Sequence, residues 1–283
     1  MPDHHRDHRI AAGADDAALA ELLDLDGEVL HSYWTDALSS LHPAATGAGR
    51  ILDLGAGTGV ATIALAQRFD GAEVIAVDAS EEMLRRVRVK ALELGLADRV
   101  RTVQADLDLD WPALGPIDVT WASMSLHHLA DPDRVLRDVF AATRAGGLAA
   151  VAELSEPLSF LPHDVGVGRP GLEARCLDAL NQAQAHALPE LGSAWSPRLE
   201  AAGFTVVSEQ ALTIELKPRR SPGAVRYAQL WLRRLRSGLT HQLADDDLEA
   251  LSTLVDGDGP ESLVQRDDLH IRGTRIVTLA RRP

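Results

Sequence analysis

The sequence predicts an α/β fold, a parallel sheet wound on both faces by helices. Three observations lead there. The run Ile51-Leu52-Asp53-Leu54 reads as a buried strand and passes through Gly55-Ala56-Gly57-Thr58-Gly59 into helical spacing at Val60-Ala61-Thr62-Ile63-Ala64-Leu65-Ala66. Four more short apolar runs follow by residue 154, separated by segments of helical period, the alternation expected of βα units. The 283 residues are 46% hydrophobic, enough for one such domain with additions.

Residues 15–42 come first and read as one or two amphipathic helices. Leu19, Leu22, Leu23, Val29, Leu30, Tyr33, Trp34, Ala37, Leu38 and Leu41 recur there at intervals of three and four, and Pro43 with Gly47-Ala48-Gly49 ends the segment. After the first strand and helix, Val74–Val77 forms a second strand closed by Asp78. Ser80 is the expected N-cap of a helix over 81–94, with Glu81 and Glu82 in its first turn and Gly95 as its stop. Strands are predicted at 100–104 and 117–123, a helix from Asp131-Pro132 to Thr143, and a strand at 148–154 after Gly146-Gly147. The alternation then breaks. Prolines and glycines scattered through 155–191 mark an insertion with a helix at 172–187. A helix at 196–202 and a strand at 204–216 follow, then two helices at 223–237 and 244–255 before a last strand at 271–280. The expected organisation is an N-terminal helical lid segment, 1–46, and one domain, 47–283, with insertions at about 155–191 and 218–268.

Three glycines on alternate positions clear a tight turn of side chains, and the free N–H groups of the following helix face whatever lies above it. A dinucleotide fingerprint would put its third glycine where Val60 stands, so an oxidoreductase reading fails there. Asp78 lies 19 positions after Gly59, near the separation expected of an acid that grips a ribose. Gly-x-Gly-x-Gly after an acidic strand, then Asp78 and Asp106 in order over roughly residues 47–155, resembles the class I S-adenosylmethionine-dependent methyltransferases of the small-molecule type. The resemblance implies a Rossmann-like doubly wound seven-stranded sheet with a reversed last strand. It also implies S-adenosyl-L-methionine as cofactor, leaving as S-adenosyl-L-homocysteine. The expected cofactor residues are Asp53, Gly55, Gly57 and Gly59 around the methionine end, Asp78 on the ribose, Asp106 and Leu107 at the adenine, with Met83 and Ser123 beside them.

The fourth strand delivers Ser123-Met124-Ser125-Leu126-His127-His128-Leu129 to the carboxyl edge of the sheet, where open α/β sheets bind ligands. His127, and His128 after it, are the candidates for a general base, since an imidazole titrates near about 6.5; in the family such histidines also fix the loop. Tyr33 and Trp34 in the lid, and His163, His186 and Trp195 in or near the insertion, are the candidate acceptor contacts. The histidine spacings match no metal-ligand set.

Composition narrows the partners. The net charge of −14 disfavours phosphate backbones and anionic membranes. No run of eighteen apolar residues is present, and the polar start, with His4, His5 and His8, lacks a signal-peptide core. Cys176, the single cysteine, fits a reducing cytosol. Arg226, Arg233, Arg234 and Arg236 form a local basic cluster, either a solvated helix face paired with acids or an anion-binding surface. The leading expectation is methyl transfer to O, N or C of a soluble metabolite. An RNA or protein methyltransferase, a non-catalytic S-adenosylmethionine-binding module, and another reaction of that cofactor such as aminopropyl transfer stay open.

Overall fold

The structure, a computed structural model, describes residues 14–41, 45, 47–188, 190–217 and 221–283. The histidines at 4, 5 and 8, Pro43, and the start of the lid segment lie outside the described residues. The seven strands are β1 (Arg50–Leu54), β2 (Glu73–Asp78), β3 (Val100–Gln104), β4 (Ile117–Ser123), β5 (Thr143–Ser159), β6 (Thr205–Leu216) and β7 (Ile271–Arg281), in the order β3-β2-β1-β4-β5-β7-β6. The first five pair in parallel, and β7 runs antiparallel between β5 and β6. This is the predicted doubly wound sheet with its reversed last strand. Strand order turns back between β1 and β4, so the crevice at their carboxyl ends is the switch point where ligands of such sheets bind.

The helices are α1 (Ala14–Val29), α2 (His31–Ser39), α3 (Val60–Arg68), α4 (Glu81–Glu93), α5 (Pro132–Ala142), α6 (Leu172–Ala187), α7 (Trp195–Ala201), α8 (Pro222–Gly238) and α9 (Asp245–Asp256). Alternation along the strands sorts the core into two layers. Ile51, Val119, Trp121, Ala150 and Ala152 face a layer formed with α1, α2, α3, α8 and α9. Leu52, Leu54, Ile75, Val77, Ala149 and Val151 face α5 and α7. Ile51, Leu52, Ile75 and Trp121 are fully buried, each contributing about 1.5–3 kcal/mol by leaving water.

The local signals explain the element ends. Ser80 caps α4 by accepting from Met83 N, and Asp131 caps α5 by accepting from Arg134 N at 2.8 Å, with Pro132 in its first turn. β5 is longer than its apolar run of 148–154. Pairing with β7 carries it to Ser159, and Pro157 is accommodated where the register shifts between Glu156 and Ser159. Just beyond, Glu173 in the first turn of α6 accepts the N–H groups of Phe160 and Leu161; burial pushes its pKa up to about 7 against those bonds. The segments after β5 and between β6 and β7 return to the body of the protein: α8 packs on α1 and α9, and Arg175 of α6 holds Asp247 of α9.

Candidate functional site

The turn after β1 is tied to β2. Gly55 N and Ala56 N both donate to Val77 O, at 2.8 and 2.9 Å. Gly57 N donates to Asp78 Oδ2 at 2.8 Å, and the other oxygen, Oδ1, accepts from Ser80 N at 2.8 Å. Asp78 is half-buried at the end of β2 and anchors the glycine turn while keeping lone pairs for a ligand. Gly55 and Gly59 stand at φ +73° and +86°, where side chains are strained, and both are closely packed. A Cβ on Gly55 would lie 2.3 Å from Ser125 Cβ, and one on Gly59 2.8 Å from Val87 Cγ2.

Beneath the turn, Asp53 is 2% exposed and accepts the Thr62 hydroxyl of α3. Burial, opposed by that bond and reinforced by Asp78, pushes its pKa up to about 7. Asp53 therefore holds α3 against β1 from below the turn, while Asp78 and Asp106 lie at the sheet edge. Asp106 is exposed past β3 and accepts from Asp108 N at 3.0 Å, and Leu107 behind it is buried in the α5 layer. Met83 is buried on α4, one turn past Asp78. Ser123 ends β4 with its hydroxyl buried and without a partner among the described residues; the Thr58 hydroxyl in the turn is in the same state. Two unsatisfied donors at a switch point are what a polar ligand would complete.

The chain leaves β4 through Met124 at φ +54°, the one non-glycine residue among those described in that region, and enters a short 3-10 turn, Leu126–His128. The turn is clamped by Glu153, which the sequence reading missed. Glu153 Oε1 accepts from Ser125 N and Leu126 N at 3.1 and 2.9 Å, and Oε2 meets His127 Nδ1 at 2.6 Å. His127 and Glu153 are buried, 5% and 3% exposed. The signal for Glu153 was its place in β5, one residue before the predicted strand end, at the edge that carries Asp78. His128 is the exposed member, its ring centre 4.1 Å from that of His127. Partial loss of hydration, then the charges of His127 and Arg234, lower its pKa to about 4.

α1 lies over the turn. Leu23 Cδ1 comes within 3.2 Å of where a Gly57 Cβ would stand, and Lys90 Nζ joins Asp24 of α1 to Thr58 O. Asp26, further along α1, is held by Arg275 of β7, Tyr227 Oη at 2.7 Å and Trp34 Nε1 at 3.0 Å. Burial would raise the Asp26 pKa, but these partners, Arg275 above all, bring it below the usual range. Trp34 therefore fixes the α1–α2 corner. Tyr33 is buried with Arg275 over its ring at 4.6 Å, and it lines a hollow of about 280 Å³ between α2 and β6. His163 is exposed near Gly171 at the start of α6. Trp195 is 4% exposed in the layer of α5 and α7. The His186 side chain lies outside the described residues. The glycines, Asp78, Ser123 and the two histidines thus meet at one edge, and Trp195 is held apart in the core.

Comparison with known proteins follows the same segment. A family model described as a methyltransferase domain matches residues 51–147. The chain is 34% identical over 152 residues to a 27-O-demethylrifamycin SV methyltransferase of Amycolatopsis mediterranei, covering 48% of this chain and 55% of that protein. It thus spans about half the length of that curated relative. Among solved structures, one from Bacillus halodurans superposes with a TM-score of 0.54 at 18% identity, over 88% of this chain and 99% of that one. The phosphoethanolamine N-methyltransferase 2 of Haemonchus contortus, solved with S-adenosylhomocysteine, gives 0.51 at 17% identity over 88% and 53%. At such identities these two likenesses bear on the fold alone.

Proposed function

We propose that this chain is a class I S-adenosylmethionine-dependent methyltransferase, and that it transfers a methyl group from that cofactor to an oxygen, nitrogen or carbon of a small soluble metabolite. The observation that carries the reading is Asp78, a half-buried carboxylate at the sheet's switch point whose oxygens already hold Gly57 N and Ser80 N.

The residues present fit the cofactor. The glycine turn offers a side-chain-free cradle, Asp78 an acceptor for two ribose hydroxyls, and Asp106 an exposed carboxylate for an exocyclic amine. The unpartnered Ser123 and Thr58 hydroxyls supply polar groups alongside. When bound, the cofactor supplies a methyl group on a positive sulfur, already activated for displacement. The chain's own work is positional, an effect worth up to about 7–11 kcal/mol in favourable cases. Asp78 and the turn fix the nucleoside, α1 covers it, and the 3-10 turn clamped by Glu153 sets His128 at the rim. His127, locked to Glu153, serves as positioning residue on this reading, and His128 faces the acceptor. Residues 1–46 are proposed as the lid and 47–283 as the catalytic domain.

A metabolite acceptor agrees with the rifamycin-type relative. It also agrees with the basic helix, where Arg226 pairs with Glu21, and Arg233 and Arg236 pair with Asp256, leaving little free positive surface for a nucleic acid. Among the described residues no helix is long and apolar enough to cross a membrane. Calorimetric titration with S-adenosylmethionine tests the cofactor half of the reading. Transfer of labelled methyl into a metabolite extract tests catalysis, and labelled RNA or protein with no labelled metabolite would refute the small-molecule acceptor.

A further inference from the structure

We propose that the hollow between α2 and β6 is a second ligand site, one that takes a small organic ammonium ion with an apolar body. It stands apart from the crevice between β1 and β4. β6 is the edge strand, three places from β4 in the sheet, which at about 4.8 Å per strand is roughly 14 Å. Its occupant is therefore independent of the methyltransferase reading above.

The hollow has an apolar wall and an unmet polar group. Its volume of about 280 Å³ is near the lower end of the range for small-molecule pockets, about 300–1,000 Å³. Residues 211–216 of β6 form one wall, and Leu212 and Ile214 there face the apolar layer that also holds Leu30 at the α1–α2 corner. Tyr33 lines the side formed by α2. It is 4% exposed, with Arg275 over its ring, and its hydroxyl has no hydrogen-bond partner among the described residues. A buried hydroxyl left without a partner is costly, and a polar ligand in the hollow supplies one.

The charges select the ligand. Asp36 of α2 and Glu215 of β6 both line the hollow, and both are exposed. Among the described residues the Asp36 carboxylate has no ion pair or hydrogen bond, and Glu215 meets only the imidazole of His270, 3.3 Å away. No lysine or arginine lines the hollow. Two arginines beside it are committed elsewhere. Arg275 is neutralised by Asp26, and Arg272, opposite Glu215 in the β6–β7 register, donates to Leu161 O at 2.8 Å. Two carboxylates without a facing cation, in a chain of net charge −14, draw a cation and repel an anion. An ammonium group also matches the hydrogen-bonding inventory. It brings only donors, and the hollow offers acceptors: two carboxylates, the Tyr33 oxygen and the carbonyls on the unpaired side of β6. Leu30, Leu212 and Ile214 cover its apolar body.

The test titrates the full chain calorimetrically with phenethylamine and tryptamine, with the neutral phenethyl alcohol and tryptophol, and with the anions phenylacetate and indoleacetate. The proteins are wild type, Tyr33→Phe, the double variant Asp36→Asn/Glu215→Gln, and Glu249→Gln, a control at an exposed acid of α9. In wild type at least one amine should bind at least about tenfold more tightly than its alcohol, and the anions should not bind. The double variant should bring that amine to within about threefold of its alcohol, Tyr33→Phe should weaken it, and Glu249→Gln should keep the full preference. Saturating S-adenosylhomocysteine should leave amine binding unchanged. No saturable amine binding, a preference that survives in the double variant, or competition with S-adenosylhomocysteine overturns the proposal. A chain that binds the amine as expected but not S-adenosylhomocysteine refutes the methyltransferase reading and leaves this site standing.

Discussion

Four acids at or below the carboxyl edge of one sheet do four different jobs, and their surroundings decide which. Asp78 is half-buried with a backbone donor on each oxygen, the state proposed to receive a ligand. Glu153 is buried under three donors and clamps a loop. Asp106 is exposed. Asp53 has no charged partner, and burial holds its proton up to about pH 7, against an ordinary 3.8. Between those values the folded protein binds a proton that the unfolded chain releases. Asp53 thus favours folding most at acid pH, and its contribution is lost as pH rises through about 7. Urea unfolding at pH 5 and pH 8 should show Asp53→Asn gaining about 2 kcal/mol on wild type at the higher pH. An equal wild-type-to-variant difference at both would refute the assignment. Glu153→Ala leaves Ser125 N, Leu126 N and the His127 ring without their acceptor. It should cost about 2–4 kcal/mol in the same assay, and a loss below 1 kcal/mol would show the clamp to be dispensable.

Helix α1 is joined to the body by two kinds of ion pair. Asp26 meets Arg275 in the interior, with the arginine 3% exposed, whereas Glu21 meets Arg226 at the surface, both about two-fifths exposed. Removing one partner of the buried pair strands a charge, so Asp26→Ala should cost about 3–5 kcal/mol. Glu21→Ala should cost under about 1 kcal/mol because solvent screens that pair. Similar losses in chemical denaturation would contradict this division. The elements themselves were readable where signals were local. The α4 cap at Ser80, the α5 start at Asp131-Pro132 and the span of α6 are marked by local sequence alone. The length of β5 did not, because residues 155–159 enter the strand through pairing with β7, a contact more than a hundred positions away. The site followed the same rule. Alternate glycines and an acid at a strand end are local marks, and they brought Asp78 to the turn. Glu153 is recognised by what folds against it, and Trp195 looked like a ligand contact until α7 packed it into the core.

For the whole molecule, the topology makes the site. Strand order turns back between β1 and β4, opening a crevice into which the glycine turn, Asp78 and the β4 loop project. α1 and α8, from opposite ends of the chain, pack together above the sheet. Cofactor binding on the proposed reading depends on a nucleoside pinned by Asp78, and calorimetric titration with S-adenosylmethionine reads this directly. Wild type should bind, and Asp78→Ala, confirmed folded by its circular dichroism, should bind at least about tenfold more weakly; undiminished affinity in the folded variant would contradict it.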